Sequence, residues 1–275
     1  MSGVPMKPPR RLRLRYAAEC VSCGIALSKG ADAIWDPSAK TVTCLACSPE
    51  GEVAETGAAG ASAAAEGKRR AERRVEDARR KYGDHAAVVA AAMAEQDVEA
   101  SWGKGSEGES ALARYIDGKV GEEVLALHDR LIPGTRTNID HLWVTATGVW
   151  VVDAKAYRGK VVRREIGPLW RRDNEVFVAG RNRTSLANGI RRQVDAVVAA
   201  LRPDESLRGT DVHAVLCFVG AEWGLLDFPF QVGNVWVMYP GTLQKRLRKN
   251  GPLGQEQRER IARRLGLSLP PAADA

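Results

Sequence analysis

The sequence predicts an α/β protein: a central mixed sheet flanked by helices, preceded by a small cysteine-rich module and a helical linker. Three observations carry this prediction. Four of the five cysteines fall into two C-x-x-C pairs between residues 20 and 47. Residues 49–100 then turn Ala-, Gly- and charge-rich. Beyond residue 102, strand-like apolar runs alternate with amphipathic stripes, the element order of an α/β domain. With 275 residues and 44% apolar content, the chain can fill one medium core and something smaller beside it. No run of 18 apolar residues occurs, which excludes a helical membrane span. Met1 to Pro9 lack the apolar stretch of a secretory signal, so a cytoplasmic location is expected.

The first module is expected over residues 14–48. Cys20-x-x-Cys23 and Cys44-x-x-Cys47 each place two thiols on one tight knuckle. Two such knuckles about 20 residues apart have the spacing of a four-cysteine zinc site. Between them, Ala33-Ile34-Trp35 and Thr41-Val42-Thr43 read as short strands either side of the turn Asp36-Pro37-Ser38. The competing readings are two disulfides, disfavoured without a secretory signal, or a redox pair, which leaves the second C-x-x-C unexplained. Structural Zn2+ in a ribbon-like fold is the expectation, since so small a domain buries little surface without a metal. The ribbon would bind either nucleic acid or a protein partner. Cys217, inside Val215-Leu216-Cys217-Phe218-Val219, reads as a core thiol.

Residues 49–101 form the expected linker. Gly51 to Gly67 nearly lack large apolar residues and read as flexible. Lys68 to Glu99 have few breakers and read as a solvated helix.

The chemistry-bearing half is expected over 102–225, closed by a strand and helices over 226–275. Glu109 opens a stripe continued by Leu112, Ala113 and Ile116, at helical spacing. A carboxylate in register with a buried face needs a partner or a cation, or else serves the helix N-terminus. Strand-like runs follow at Val124 to Ile132, Asn138 to Thr145 and Val149 to Lys155, separated by Pro133-Gly134 and Thr147-Gly148. They carry Asp140 and then Asp153-Ala154-Lys155, in which Asp153 and Lys155 share a face. The run before them, Val149 to Val152, is apolar on both faces, as in a central strand. Glu109, Asp140 and Asp153 supply hard oxygen ligands for Mg2+ or Mn2+. Lys155 beside them would orient or help activate a water and stabilise charge on a phosphate.

Several of these stretches occur together in order: Gly105-x-x-Gly108-Glu109, Leu127-His-Asp-Arg-Leu-Ile-Pro-Gly134, Asn138-Ile-Asp140-His141, Gly148-Val-Trp-Val-Val-Asp153-Ala-Lys155 and Tyr157-x-Gly159. In this the chain resembles the nuclease-related domain (NERD) family, grouped with the PD-(D/E)xK, restriction-endonuclease-like superfamily. The resemblance implies a restriction-endonuclease-like core, Mg2+-dependent phosphodiester hydrolysis, and Glu109, Asp140, Asp153 and Lys155 at the family's active-site positions. It also implies a role for Gln193, which follows Ile190 at i+3 on the edge of an apolar stripe through Val194, Val197, Val198 and Leu201. His141, next to Asp140 on a strand, is expected to face the other way, and His128 and His213 read as structural.

The formal charge of +7 is unevenly spread. Residues 155–183 hold nine Lys/Arg against three acids, directly after the Asp153–Lys155 run. Tyr157, Arg158, Lys160, Arg163, Arg164, Arg171 and Arg172 there are the candidate nucleic-acid contacts, with Tyr157 and Trp170 available for stacking. DNA is the favoured partner. Val212 to Val219 and Asn234 to Met238 read as further strands, and Leu243 to Arg248 and Gln255 to Leu265 as helices, with Pro270-Pro271 ending the fold. This order places the acidic site at the edge of an α/β sheet. The competing functional reading is a non-catalytic nucleic-acid-binding or adaptor protein with a degenerate core.

Overall fold

The structure is a computed structural model that describes residues 8–48, 56–61, 106–167, 173–224 and 228–272, with scattered residues between 69 and 80. The N-terminal module consists of β1 (Arg10–Arg13), β2 (Ala18–Glu19), β3 (Ala26–Leu27), β4 (Asp32–Asp36) and β5 (Thr41–Cys44). The turn predicted between β4 and β5 is pinned by the Asp36 carboxylate, which accepts from Ser38 N at 2.8 Å and Ala39 N at 3.2 Å. The antiparallel register sets Ile34 opposite Thr43. β1 precedes the expected boundary at residue 14 and pairs with β4, so the module takes in Arg10 to Arg13 as well.

The larger unit follows as α1 (Ser106–Asp117), β6 (Leu125–Leu131), β7 (Asn138–Thr145), β8 (Gly148–Ala156), β9 (Val161–Ile166), β10 (Asp173–Val178), β11 (Arg181–Asn182), α2 (Leu186–Leu201), β12 (Val212–Val219), β13 (Phe230–Val232), β14 (Val235–Met238), α3 (Pro240–Leu247) and α4 (Gln255–Ser268). Six strands form a mixed sheet in the order β13-β14-β12-β8-β7-β6. β12 runs parallel to both β8 and β14, while β6, β7 and β8 form an antiparallel meander.

Both faces of the sheet are covered. On one, Leu142, Val144, Val149 and Val151 pack with Ile190, Val197 and Leu201 of α2 and Ile261 and Leu265 of α4. On the other, Trp143, Trp150 and Val152 pack with Leu112 and Ile116 of α1 and Leu243 and Leu247 of α3. That double coverage explains why β8 is apolar on both faces. β8 lies inside the sheet, between β12 and β7. The acidic residues therefore sit at the end of central strands, and the expectation of a site at the sheet's edge is corrected.

Part of the span read as a flexible linker lies on this core. Thr56 O accepts from His128 N of β6 at 2.6 Å, and Ala59 O accepts from Ser110 Oγ of α1 at 3.0 Å. Gly57 has φ +78°, and a Cβ there would stand 2.3 Å from His128 O. The described residues between 69 and 80 are helical, in agreement with the sequence; the rest of the predicted helix lies outside the described residues. Among the described residues no helix is long and apolar enough to cross a membrane.

Candidate active site and four-cysteine centre

The acidic site is assembled where the β7–β8 pairing ends. The last paired residues are His141 and Val152, so Asp140 and Asp153 lie one step beyond, facing one another across the two strands. Alternation places both on the sheet face covered by α2. Asp140 Oδ2 accepts from Ala154 N at 3.1 Å, which fixes its carboxylate over β8. Lys155, two residues after Asp153, donates from Nζ to Asp153 Oδ1, so the two share a face as the strand period predicts.

Glu109 arrives from the opposite layer. Its helix α1 buries Leu112 and Ile116 on the far side of the sheet, and its first turn reaches the end of β8 through Gly108. A Cβ on Gly108 would stand 2.8 Å from the Ala156 Cβ, so the close approach depends on this glycine. The other end of α1 is fixed by Asp117. Its carboxylate accepts from Trp143 Nε1 at 2.9 Å and lies 3.0 Å from His128 Nε2. The Nδ1 atoms of His128 and His141 lie 3.0 Å apart. An arrangement with His128 Nε2–H on Asp117 and His141 Nδ1–H on His128 satisfies all three contacts. His141 stacks on Trp143 and faces away from Asp140, as expected; burial, its largest cause, holds its pKa well below the usual value.

The electrostatics show that these groups act on one another. Burial, opposed by Lys155 and reinforced by Asp129 and Asp153, pushes Glu109 up to about 7. Burial, then the charges of Asp153 and Glu109, raises Asp140 well above the carboxylate range. Lys155 loses solvation by burial, but Asp153 and Asp140 outweigh that loss and raise its pKa. One ammonium thus faces several carboxyl groups whose ionisation burial opposes.

Gln193 is buried on the α2 face that carries Ile190 and Val197, the face turned to Asp140 and Asp153. Glu109 Oε2 and Gln193 Oε1 are buried with no hydrogen-bond partner. An uncommitted Glu109 oxygen among acids of raised pKa suits a hard cation. Among the described residues only the cysteines form a group of three or more ligand side chains with all ligand atoms within 4.8 Å.

Asp129 is the residue sequence reasoning missed. It is buried in β6, has φ +51°, accepts from Asn138 Nδ2 at 2.8 Å, and its charge bears on Glu109. Its left-handed backbone interrupts the strand alternation, so His128, Asp129 and Arg130 are all buried. The available signal was an acid inside the otherwise strand-like run 124–132.

The basic segment forms a separate three-stranded sheet, β9-β10-β11. Arg158, Lys160, Arg163 and Arg164 are exposed. Arg163 pairs with Glu165 at 3.0 Å, and Arg164 lies 3.9 Å from the Phe177 ring centroid. Tyr157 is half-buried, packs near Phe218 and carries Arg183 over its ring at 5.1 Å. Trp170, Arg171 and Arg172 lie outside the described residues.

At the other centre, Cys20, Cys23, Cys44 and Cys47 bring their sulfurs together within 4.8 Å. Cys23 Sγ and Cys44 Sγ are 3.7 Å apart. A tetrahedron with Zn–S bonds of about 2.3 Å has edges of about 3.8 Å, so the spacing fits zinc. Hydrogen bonds from Cys44 and Cys47 hold the Cys20 thiol far below its ordinary range. The same bond to Cys20 pushes Cys44 up to about 11 and raises Cys47. Four thiols this close cannot all ionise without a cation among them. Cys217 is fully buried, and burial raises its pKa, as befits a core thiol.

The family described as nuclease-related domain, NERD, matches residues 104–219, which span α1 to β12 and contain every acidic-site residue named above. No curated protein and no solved structure matches the chain.

Proposed function

We propose that the protein is a metal-dependent nuclease on a restriction-endonuclease-like core, cleaving phosphodiester bonds of nucleic acid, DNA by preference. The observation that carries this reading is the buried Asp140–Asp153–Lys155 cluster at the end of β8, met by Glu109 from the opposite layer. Asp140, Asp153 and Glu109 would hold Mg2+ or Mn2+, with Gln193 Oε1 facing the same side. The cation, when bound, supplies charge for the scissile phosphate and a more acidic water. Lys155 is held by Asp153 and kept protonated by the surrounding acids, so its role is to orient the attacking water and steady charge on the phosphate, not to abstract a proton. Burial raises the Glu109 carboxyl to about 7, so binding of the cation there would release a proton near neutral pH. Arg158, Lys160, Arg163 and Arg164, with Arg171 and Arg172, would take the backbone phosphates beyond the site.

The test is cleavage of plasmid and single-stranded DNA with Mg2+ or Mn2+ by wild type, Asp153→Asn and Lys155→Ala. Wild-type cleavage that EDTA stops and both variants lose is the expected result. Equal cleavage by all three would dismiss the site. Binding without turnover on any DNA or RNA would favour the non-catalytic reading.

A further inference from the structure

The four-cysteine module is seated on α4 through three arginines on one stretch of that helix. Arg260 donates from Nη2 to Ser22 O at 3.4 Å, and from Nε to Asp204 Oδ2 at 2.9 Å. Arg263 donates from Nε to Ala46 O at 3.2 Å. Arg264 donates from Nη2 to two sulfurs, Cys23 Sγ at 3.4 Å and Cys44 Sγ at 3.6 Å. Both Arg263 and Arg264 are buried, at 8% and 5% exposure. Arg264 Nε is itself buried without a hydrogen-bond partner.

A guanidinium keeps its charge at any working pH, and burying it beside neutral thiols is unfavourable. A metal held by four thiolates reverses the balance. Zn2+ with four thiolates carries two net negative charges, and a cation against two of the sulfurs offsets part of them. The position of Arg264 is therefore favourable with a metal-loaded cluster and unfavourable with an empty, protonated one.

We propose that Arg264 is the charge-compensating outer partner of the four-cysteine metal centre, which makes the metal the joint that locks the N-terminal module onto α4. This goes beyond the nuclease reading and does not depend on it. Two consequences follow, one on each side of the joint. The arginine slows metal loss, and the metal holds α4 against opening.

The experiment uses the full chain loaded with zinc, comparing wild type, Arg264→Met and Arg264→Lys. Zinc transfer to a colorimetric chelator gives affinity, and amide hydrogen exchange over 255–268 reports on α4. Loss of an outer partner of this kind typically costs 10–100-fold in metal affinity. Arg264→Met is expected to weaken zinc by about tenfold or more, and Arg264→Lys, which keeps the charge, by clearly less. Stripping zinc from wild type is expected to speed exchange in α4 as well as in the module. Should Arg264→Met fail to fold, the Lys variant and the wild-type exchange experiment still decide the matter. Unchanged zinc affinity in Arg264→Met, or α4 exchange indifferent to zinc, would overturn the proposal. A wild-type chain that binds no zinc would overturn the metal reading itself.

Discussion

Glu109 gives the acidic site a measurable signature that does not need catalysis. Its carboxyl is raised from 4.5 to about 7, chiefly by burial. A group whose pKa is higher folded than unfolded contributes stability that is fully present below the unfolded value and lost as pH rises through the folded one. Here the window runs from 4.5 to about 7. The whole shift corresponds to about 3 kcal/mol, and the part lost between pH 6 and pH 8 is about 1.3 kcal/mol by linkage. For a chain of this size that is a fall of roughly 3–5 °C in Tm. The perturbation is Glu109→Gln, which removes the titration and keeps the shape. The assay is thermal unfolding at pH 6 and pH 8 in buffer without added divalent ions. His141 opposes the trend, because its buried imidazole stays neutral while the unfolded one protonates at pH 6. Subtracting the variant's slope from that of wild type cancels this contribution. The wild type should lose about 1 kcal/mol more than the variant across the interval. Identical slopes would show that Glu109 is not in a desolvated cluster, and the reasoning about the site would fall with it.

Other outcomes are open to simpler measurements. Gly108→Ala should lower stability by roughly 1–3 kcal/mol, because its Cβ meets the Ala156 Cβ at 2.8 Å; adding Ala156→Gly should restore most of the loss in a urea melt. Gly57→Ala brings a Cβ to 2.3 Å from His128 O at a positive φ, so hydrogen exchange at the His128 amide should accelerate. Trp143→Phe removes the bond to Asp117 and should cost about 1–2 kcal/mol, with cleavage falling as α1 loosens. Replacing Arg163 and Arg164 by Ala should weaken DNA binding and flatten its salt dependence by about one to two units of slope.

The sequence made the strands of the core legible because their chemistry is local. The apolar run Val212 to Val219 coincides with β12, and strand alternation alone puts Asp153 and Lys155 on one face. The first three sheet strands were each found within a residue or so, because Pro133-Gly134 and Thr147-Gly148 punctuate them. What was hidden is non-local. Asp129 joins the site only because its backbone turns left-handed inside a strand, which no period reveals. The partial burial of Tyr157 is set by Phe218 and Arg183, which are distant in sequence. Gln193 could equally have faced solvent, since a helix edge becomes an interior only when the sheet is laid against it. β1 was missed for a similar reason: four arginines in six residues do not look like a strand until β4 offers its edge. The seat of the cysteine module on α4 depends on residues more than 200 positions apart, Arg264 and Cys23, and no local pattern connects them.

The outer side of β6 carries a consequence for how the chain matures. Its His128 amide is taken by Thr56, and its Leu131 amide by Pro270 O at 2.8 Å, with Arg130 bridged to Pro271. The strand that closes one side of the sheet is thus capped by chain from both directions, one piece about 70 residues upstream and the other about 140 downstream. During synthesis the upstream cap is made before β6, but the downstream one only about 140 residues after it. Until then half of the strand offers unpaired amides beside apolar neighbours, the condition under which nascent sheets pair with the wrong chain. A chain stopped short of Pro270 would keep its whole acidic cluster and still leave that border open.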